Sequence, residues 1–194
     1  DLIELGVREL SIELNNSSFD KLIKEINPTI VLFDRFMTEE QFGWRVAENC
    51  PNALRVLDTE DLHCLRKTRH EAIKKGIEFS TDLLLSSEIA KREIASIYRS
   101  DVSLIISRYE MNILKDLFKI GDELLCYLPF FIESITEQKE SNWKPFEERN
   151  HFVSIGNFLH APNVDATLQL KKVIWPLIKE QLPKAELHIY GAYP

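Results

Sequence analysis

The 194-residue chain is short of positive charge: 24 Lys and Arg stand against 31 Asp and Glu, a net charge of −7 at pH 7. A phosphate-backbone footprint needs clustered Lys and Arg, so nucleic acid is not the expected partner. Small molecules, other proteins, or a membrane-bound acceptor met through a local patch remain. Cysteine is scarce as well. Cys50, Cys64 and Cys126 lie far apart, with no CxxC and no Cys/His ligand spacing. An odd, scattered set reads as reduced thiols of a cytosolic protein, buried as small hydrophobes. No apolar run approaches the ~20 residues that span a bilayer. The opening Asp-Leu-Ile-Glu-Leu-Gly has neither the basic nor the apolar region of a signal peptide. It also has no initiator Met, which reads as a chain processed or cut from a longer one. No HExxH, EF-hand, P-loop, GxGxxG or GxSxG occurs. Asp58-Thr-Glu-Asp61 has the wrong spacing for a DxD metal site. No metal and no cofactor are expected.

What is present is an alternation of strand and helix patterns. Val7 to Leu14 alternates apolar and polar residues and predicts a half-buried strand. Phe19, Leu22, Ile23 and Ile26 are helically spaced behind a Ser18 cap, and Asn27-Pro28 stops that helix. Thr29–Phe33 is a solid apolar strand, and Thr38 caps a helix over 39–49. Ala53–Leu57 is the next strand. Residues 62–79 read as a basic, exposed helix, and Ser87 caps another over 88–98. A strand at 101–106, a short helix at 111–118 and a strand at 123–128 complete the first region. Short connections between such elements predict a parallel sheet with right-handed crossovers, an α/β fold of Rossmann-like, three-layer type. Residues 133–150 are charged and poorly periodic, and read as a linker anchored by Trp143 and Phe146. The expected organisation is therefore 1–132, a linker at 133–150, and a strand–loop–helix–strand unit at 151–194. In that last unit Phe152–Ile155 and Ala185–Tyr190 are strands, each ending in glycine (Gly156, Gly191), around a helix over 164–182. It is too small to bury both faces of a parallel sheet.

Ligands of open parallel sheets collect at the carboxyl ends of strands, so polar residues there are the candidates. Asp58, Asp61 and His63 follow the Ala53–Leu57 strand and suit an acid–base cluster. In the structural alternative, Thr59 or Asp61 caps the next helix and Asp58 bonds its exposed amides. Asp34 and Arg35 follow the Thr29–Phe33 strand, as an ion pair tethering loops or as acceptor contacts. Ser107 is a cap or a ligand residue. Gly156, Asn157 and Phe158, with Gly191, form a turn where a phosphate or sugar could approach the backbone. His160 is a further candidate, and His188 reads as structural.

Gly156-Asn-Phe, Pro162-Asn-Val-Asp165, the Trp175-Pro176 helix and Leu182-Pro-Lys-Ala-Glu-Leu-His-Ile-Tyr-Gly191 together resemble the start of the C-terminal domain of GT-B glycosyltransferases, close to glycosyltransferase family 4. The resemblance implies that 1–132 is part of an acceptor-side domain and that 151–194 opens the nucleotide-sugar donor domain. It implies metal-independent transfer of a sugar from a nucleotide sugar to a glycan, lipid or small acceptor in glycan biosynthesis. Many members place a His at the end of the strand that here is Ala53–Leu57. This chain has Asp58 there, with His63 five residues on. The protein is expected to be cytoplasmic, with peripheral contact at the inner membrane face open, and the exposed edges of an incomplete sheet favour pairing with another chain, so homo-oligomerisation is open too. The later donor-binding residues of the family fall outside this sequence, so this piece alone is expected to be inactive. A nucleotide-sugar 2-epimerase and a non-catalytic α/β binding module remain as alternatives.

Overall fold

A computed structural model describes residues 2–136 and 143–192. The chain divides into two compact units, Asp1–Ile132 and Glu133–Pro194. In the first unit, the helical apolar spacing forms α1 (Ser18–Ile26), which stops at Asn27 in a left-handed conformation (φ 44°) before Pro28. The chain then runs β1 (Ile30–Asp34), α2 (Arg35–Asn49), β2 (Leu54–Asp58) and α3 (His63–Lys75). Next come α4 (Thr81–Ser86), α5 (Glu88–Arg99), β3 (Val102–Ile105) and α6 (Arg108–Asn112), which continues as a π turn over Ile113–Leu117. A 3₁₀ turn, Asp122–Leu124, leads into β4 (Leu125–Tyr127).

The four strands form one parallel sheet in the order β1-β2-β3-β4. The fold is mixed α/β of Rossmann-like character. Strand alternation sends Phe33, Leu57, Ser103, Ile105 and Leu125 to one face, where they are buried with Val46, Ile97 and Leu114. Because the strand order is monotonic, right-handed crossovers place their helices on a single face. The opposite face leaves Ile30 60% and Leu32 57% exposed, with Leu54 beside them. The second helix layer expected of a three-layer sandwich is thus not seen among the described residues.

Four further expectations are corrected. Val7–Leu14 forms no strand, and its apolar side chains stay exposed. Alternation prepares two faces, but a strand also needs a partner edge. The helix after β2 is not simply exposed: His63, Cys64, Leu65, Thr68 and Ala72 point inward, while its lysines and arginines hold the outer side. Cys126 lies on the bare sheet face and is exposed, whereas Cys50 and Cys64 are buried. Phe146 is 79% exposed, so it anchors nothing. Residues 137–142 of the expected linker lie outside the described residues.

In the second unit, β5 (His151–Asn157) and β6 (Glu186–Ala192) pair in parallel over seven residues, Gly156 opposite Gly191. Both strands run past their glycines instead of ending at them. Between them, α7 (Ala161–Gln169), a π turn (Leu170–Ile174) and α8 (Trp175–Gln181) form one interrupted helix, which starts three residues before the expected position. Pro176 has no N–H to give and its ring crowds the preceding turn, which accounts for the wider turn just before it. Ala185 is the only buried apolar residue of this unit among the described residues. That agrees with the small core expected from two strands and one helix.

Candidate functional site

The sheet brings the first set of candidates together at its carboxyl edge. Asp34 and Asp58 end β1 and β2 as register partners. Arg35 follows in a left-handed conformation (φ 68°), unusual for a residue with a Cβ. Its guanidinium grips Asp34 through two contacts, Nη2 to Oδ2 at 2.8 Å and Nε to Oδ1 at 3.1 Å. It also lies 3.4 Å from Glu60. Asp34 and Arg35 therefore satisfy each other and tie the two loops, which is the tether alternative.

The loop after β2 is closely specified. Asp58 Oδ1 accepts from Glu60 N–H (3.1 Å), and Glu60 is itself left-handed (φ 56°). The Thr59 hydroxyl donates to Leu104 O (2.8 Å), pinning the loop to β3. Asp61 takes a two-contact grip from Arg66, with Nε at 2.6 Å and Nη2 at 3.2 Å. Asp61 also faces His63, whose Nδ1 lies 3.2 Å from Asp61 Oδ1 and 3.1 Å from Asp61 O. Both partners of Nδ1 are acceptors, which assigns a proton to Nδ1; in the neutral ring the lone pair is then on Nε2. Among the described residues Nε2 has no hydrogen-bond partner. The His63 side chain is only 6% exposed and meets Phe36 edge-on at 5.8 Å. Asp58, Asp61 and His63 are thus brought to one loop, with a direct contact between the last two.

Neither Thr59 nor Asp61 caps α3. Its first amides are capped from afar. Leu62 N–H donates to Glu110 Oε1 (2.9 Å), His63 N–H to Glu93 Oε1 (3.0 Å) and Cys64 N–H to Glu93 Oε2 (2.8 Å). Glu110 is fixed in turn by Ser107, whose hydroxyl donates to Glu110 Oε2 and accepts from Glu110 N–H. Ser107 and Glu110 stand at capping-box spacing, but the acid bonds the Ser107 hydroxyl and a second helix instead of the Ser107 amide. Ser107 therefore acts as a cap. Glu93 is 1% exposed, and burial pushes its carboxyl above the ordinary glutamate value. Burial, reinforced by Glu93, also pushes the Cys64 thiol up, so this cysteine is inert. Sequence reasoning missed Glu93, and it placed Glu110 in the Ser107-Arg-Tyr-Glu turn without its reach to α3. One signal was available: Glu93 falls on the Ala90–Ile97 stripe of α5, where an acid on an apolar face needs a partner.

In the second unit, Gly156, Asn157 and Phe158 form the β5–α7 turn, with Gly191 alongside. Their polar groups are committed internally. Phe158 N–H donates to Ala192 O (3.1 Å), Leu159 N–H to Asn157 Oδ1 (3.0 Å), and His160 N–H and Asn163 Nδ2 to Asn157 O. Gly191 is required by packing: a Cβ there would overlap the Gly156 carbonyl and lie 2.6 Å from the Phe158 ring. His160 N-caps α7 without a side-chain bond. His188 bonds Glu186 and Tyr190 and lies 4.6 Å from the His151 ring at a 43° tilt, a role within the strand pair.

No group of three or more His, Cys, Asp or Glu side chains is arranged to hold a metal among the described residues. No described helix is long and apolar enough to cross a membrane. Comparison with family models, with curated proteins and with solved structures finds no match.

Proposed function

We propose that this chain is part of a metal-independent glycosyltransferase. It would move a sugar from a nucleotide-sugar donor to a hydroxyl of a glycan, lipid or small acceptor on the cytoplasmic side of the membrane. The first unit supplies the acceptor side, and residues 151–194 open the donor side. The observation that carries this reading is the Asp61–His63 contact at the carboxyl end of β2, with Nδ1 held and Nε2 left as base. The acceptor O–H gives its proton to Nε2 while its oxygen attacks the anomeric carbon. The bond from that carbon to the diphosphate oxygen breaks, and the nucleoside diphosphate leaves with the electron pair. Asp61, steadied by Arg66, stabilises the imidazolium that results. Asp58 stands on the same edge to meet acceptor hydroxyls, and the Asp34–Arg35 pair, reaching Glu60, holds that edge in shape. On the donor side, Gly156, Asn157, Phe158 and Gly191 shape the turn. Seating a diphosphate there requires Leu159 N–H to exchange Asn157 Oδ1 for a phosphate oxygen.

The test uses the longest natural polypeptide that contains this sequence. His63→Ala is expected to lower kcat about 10²–10⁴-fold, the usual worth of a positioned base, while nucleotide-sugar binding persists. Unchanged kcat removes His63 from the chemistry. The deep burial of His63 and the internally engaged turn at 157–160 favour one other reading, a non-catalytic α/β binding module. In that case no donor is turned over and His63→Ala changes stability alone.

A further inference from the structure

His63 is not held by Asp61 alone. Glu93 Oε1 lies 3.7 Å from Nδ1, on the side supplied by α5, while Asp61 approaches from the β2–α3 loop. The two acids differ in character. Asp61 is partly open to solvent and shares its charge with Arg66. Glu93 is buried, pairs with no Lys or Arg among the described residues, and places both its oxygens on the His63 and Cys64 amides. A buried carboxylate of this kind acts on what lies beside it with little screening, and what lies beside it is the protonated nitrogen of His63.

We infer that Glu93 is a positioning residue for His63: it fixes the first turn of α3 through two amides and presents its carboxylate to Nδ1, so that the ring keeps its proton there and leaves Nε2 bare. The catalytic consequence rests on the role proposed above for His63; the tautomer itself does not. Glu110 supplies the control. It caps the same turn through Leu62 N–H, but among the described residues its carboxylate bonds that amide and Ser107 and not the imidazole.

The experiment is a long-range ¹H–¹⁵N correlation of the histidine rings in the 194-residue chain near neutral pH, for wild type, Glu93→Gln and Glu110→Gln. Wild-type His63 is expected to show Nδ1 protonated and Nε2 carrying the lone pair. Glu93→Gln is expected to move the tautomer ratio roughly fivefold to tenfold toward Nε2–H, less than a full charge-assisted hydrogen bond would give, because Oε1 stands 3.7 Å from Nδ1, outside hydrogen-bond reach. Glu110→Gln weakens the same helix start and is expected to leave the ratio unchanged. A wild-type His63 mainly in the Nε2–H form overturns the inference even if Glu93→Gln does not fold, and so do equal shifts in the two variants. Because no substrate is involved, a held tautomer without sugar transfer sinks the proposed function and leaves the positioning role standing.

Discussion

Replacing Gly43 by Ala puts two effects of known size against each other. Gly43 lies inside α2, where alanine gains about 1 kcal/mol of helix propensity over glycine. The added Cβ, however, would overlap Glu39 Oε1 and lie 2.9 Å from Glu39 Cδ. A flexible carboxylate normally swings away at little cost. Glu39 is not free to do so: it is 2% exposed and gripped by Arg99, with Nη2 at 2.6 Å and Nε at 3.1 Å. Displacing it loses hydrogen bonds to a charged partner, about 1.5–3 kcal/mol. A carboxylate left buried and unpaired costs about 3–5 kcal/mol. The expected net effect is a loss of about 1–3 kcal/mol, read as a lower urea midpoint at unchanged m-value. On a unit of this size the melting temperature falls by on the order of 4 °C per kcal/mol. The sign reverses once Glu39 is gone: in a Glu39→Ala background, Gly43→Ala is expected to stabilise by about 1 kcal/mol. Gly43→Ala raising the midpoint of the otherwise native chain would refute the reasoning, because it would mean Glu39 moves freely.

The remaining predictions concern other parts of the molecule. Native protein treated with a thiol reagent should modify one cysteine of three at once, Cys126 on the bare sheet face, with Cys50 and Cys64 reacting only on unfolding; fast labelling of Cys64 would contradict its burial. Glu93 has its pKa raised by burial above 4.5, so the native state binds this proton more tightly than the unfolded chain and ionisation lowers stability as pH rises from there through the folded pKa. Glu93→Gln removes that slope, and its stability relative to wild type should improve as pH climbs through the window; a difference that stays flat in urea titrations denies the shift. Gly191→Ala should part β5 from β6 near Gly156 and cost about 1–3 kcal/mol, seen as lost amide-exchange protection over 188–192. Gly156→Ala, whose Cβ meets Asn163 Cβ at 3.3 Å, should disturb the strands less.

The parallel α/β class was legible because it rests on local signals. Solid apolar runs at 29–33 and 53–57, helical spacing between them and Pro or Asn stops mark each element almost where it lies. Boundaries moved where backbone geometry outweighed propensity. Helix α2 starts at Arg35, three residues before the candidate cap Thr38, because the chain turns straight out of β1 through a left-handed residue. The segment 7–14 shows the opposite failure, a pattern with no edge to join. The site was half legible. Strand ends pointed to Asp34, Asp58, Asp61 and His63, and the sheet register confirms that β1 and β2 end together. Their partners were not legible. Glu93 and Glu110 reach the α3 amides from 29 to 48 residues away, and no spacing rule within one element reports a contact made between elements. The same limit hid the internal bonding of the 157–160 turn, where glycine and asparagine serve the turn's own geometry.

Sugar transfer is the central claim, and the most direct test is a nucleotide-sugar screen on the longest natural polypeptide that contains this sequence. UDP, GDP, ADP and dTDP sugars are tested for thermal stabilisation, then for nucleotide release with and without acceptor, beside His63→Ala. Stabilisation by one donor class, with acceptor-dependent release that His63→Ala abolishes, is the predicted result. No stabilisation by any nucleotide or nucleotide sugar would contradict the donor assignment of residues 151–194 and leave a binding module in its place.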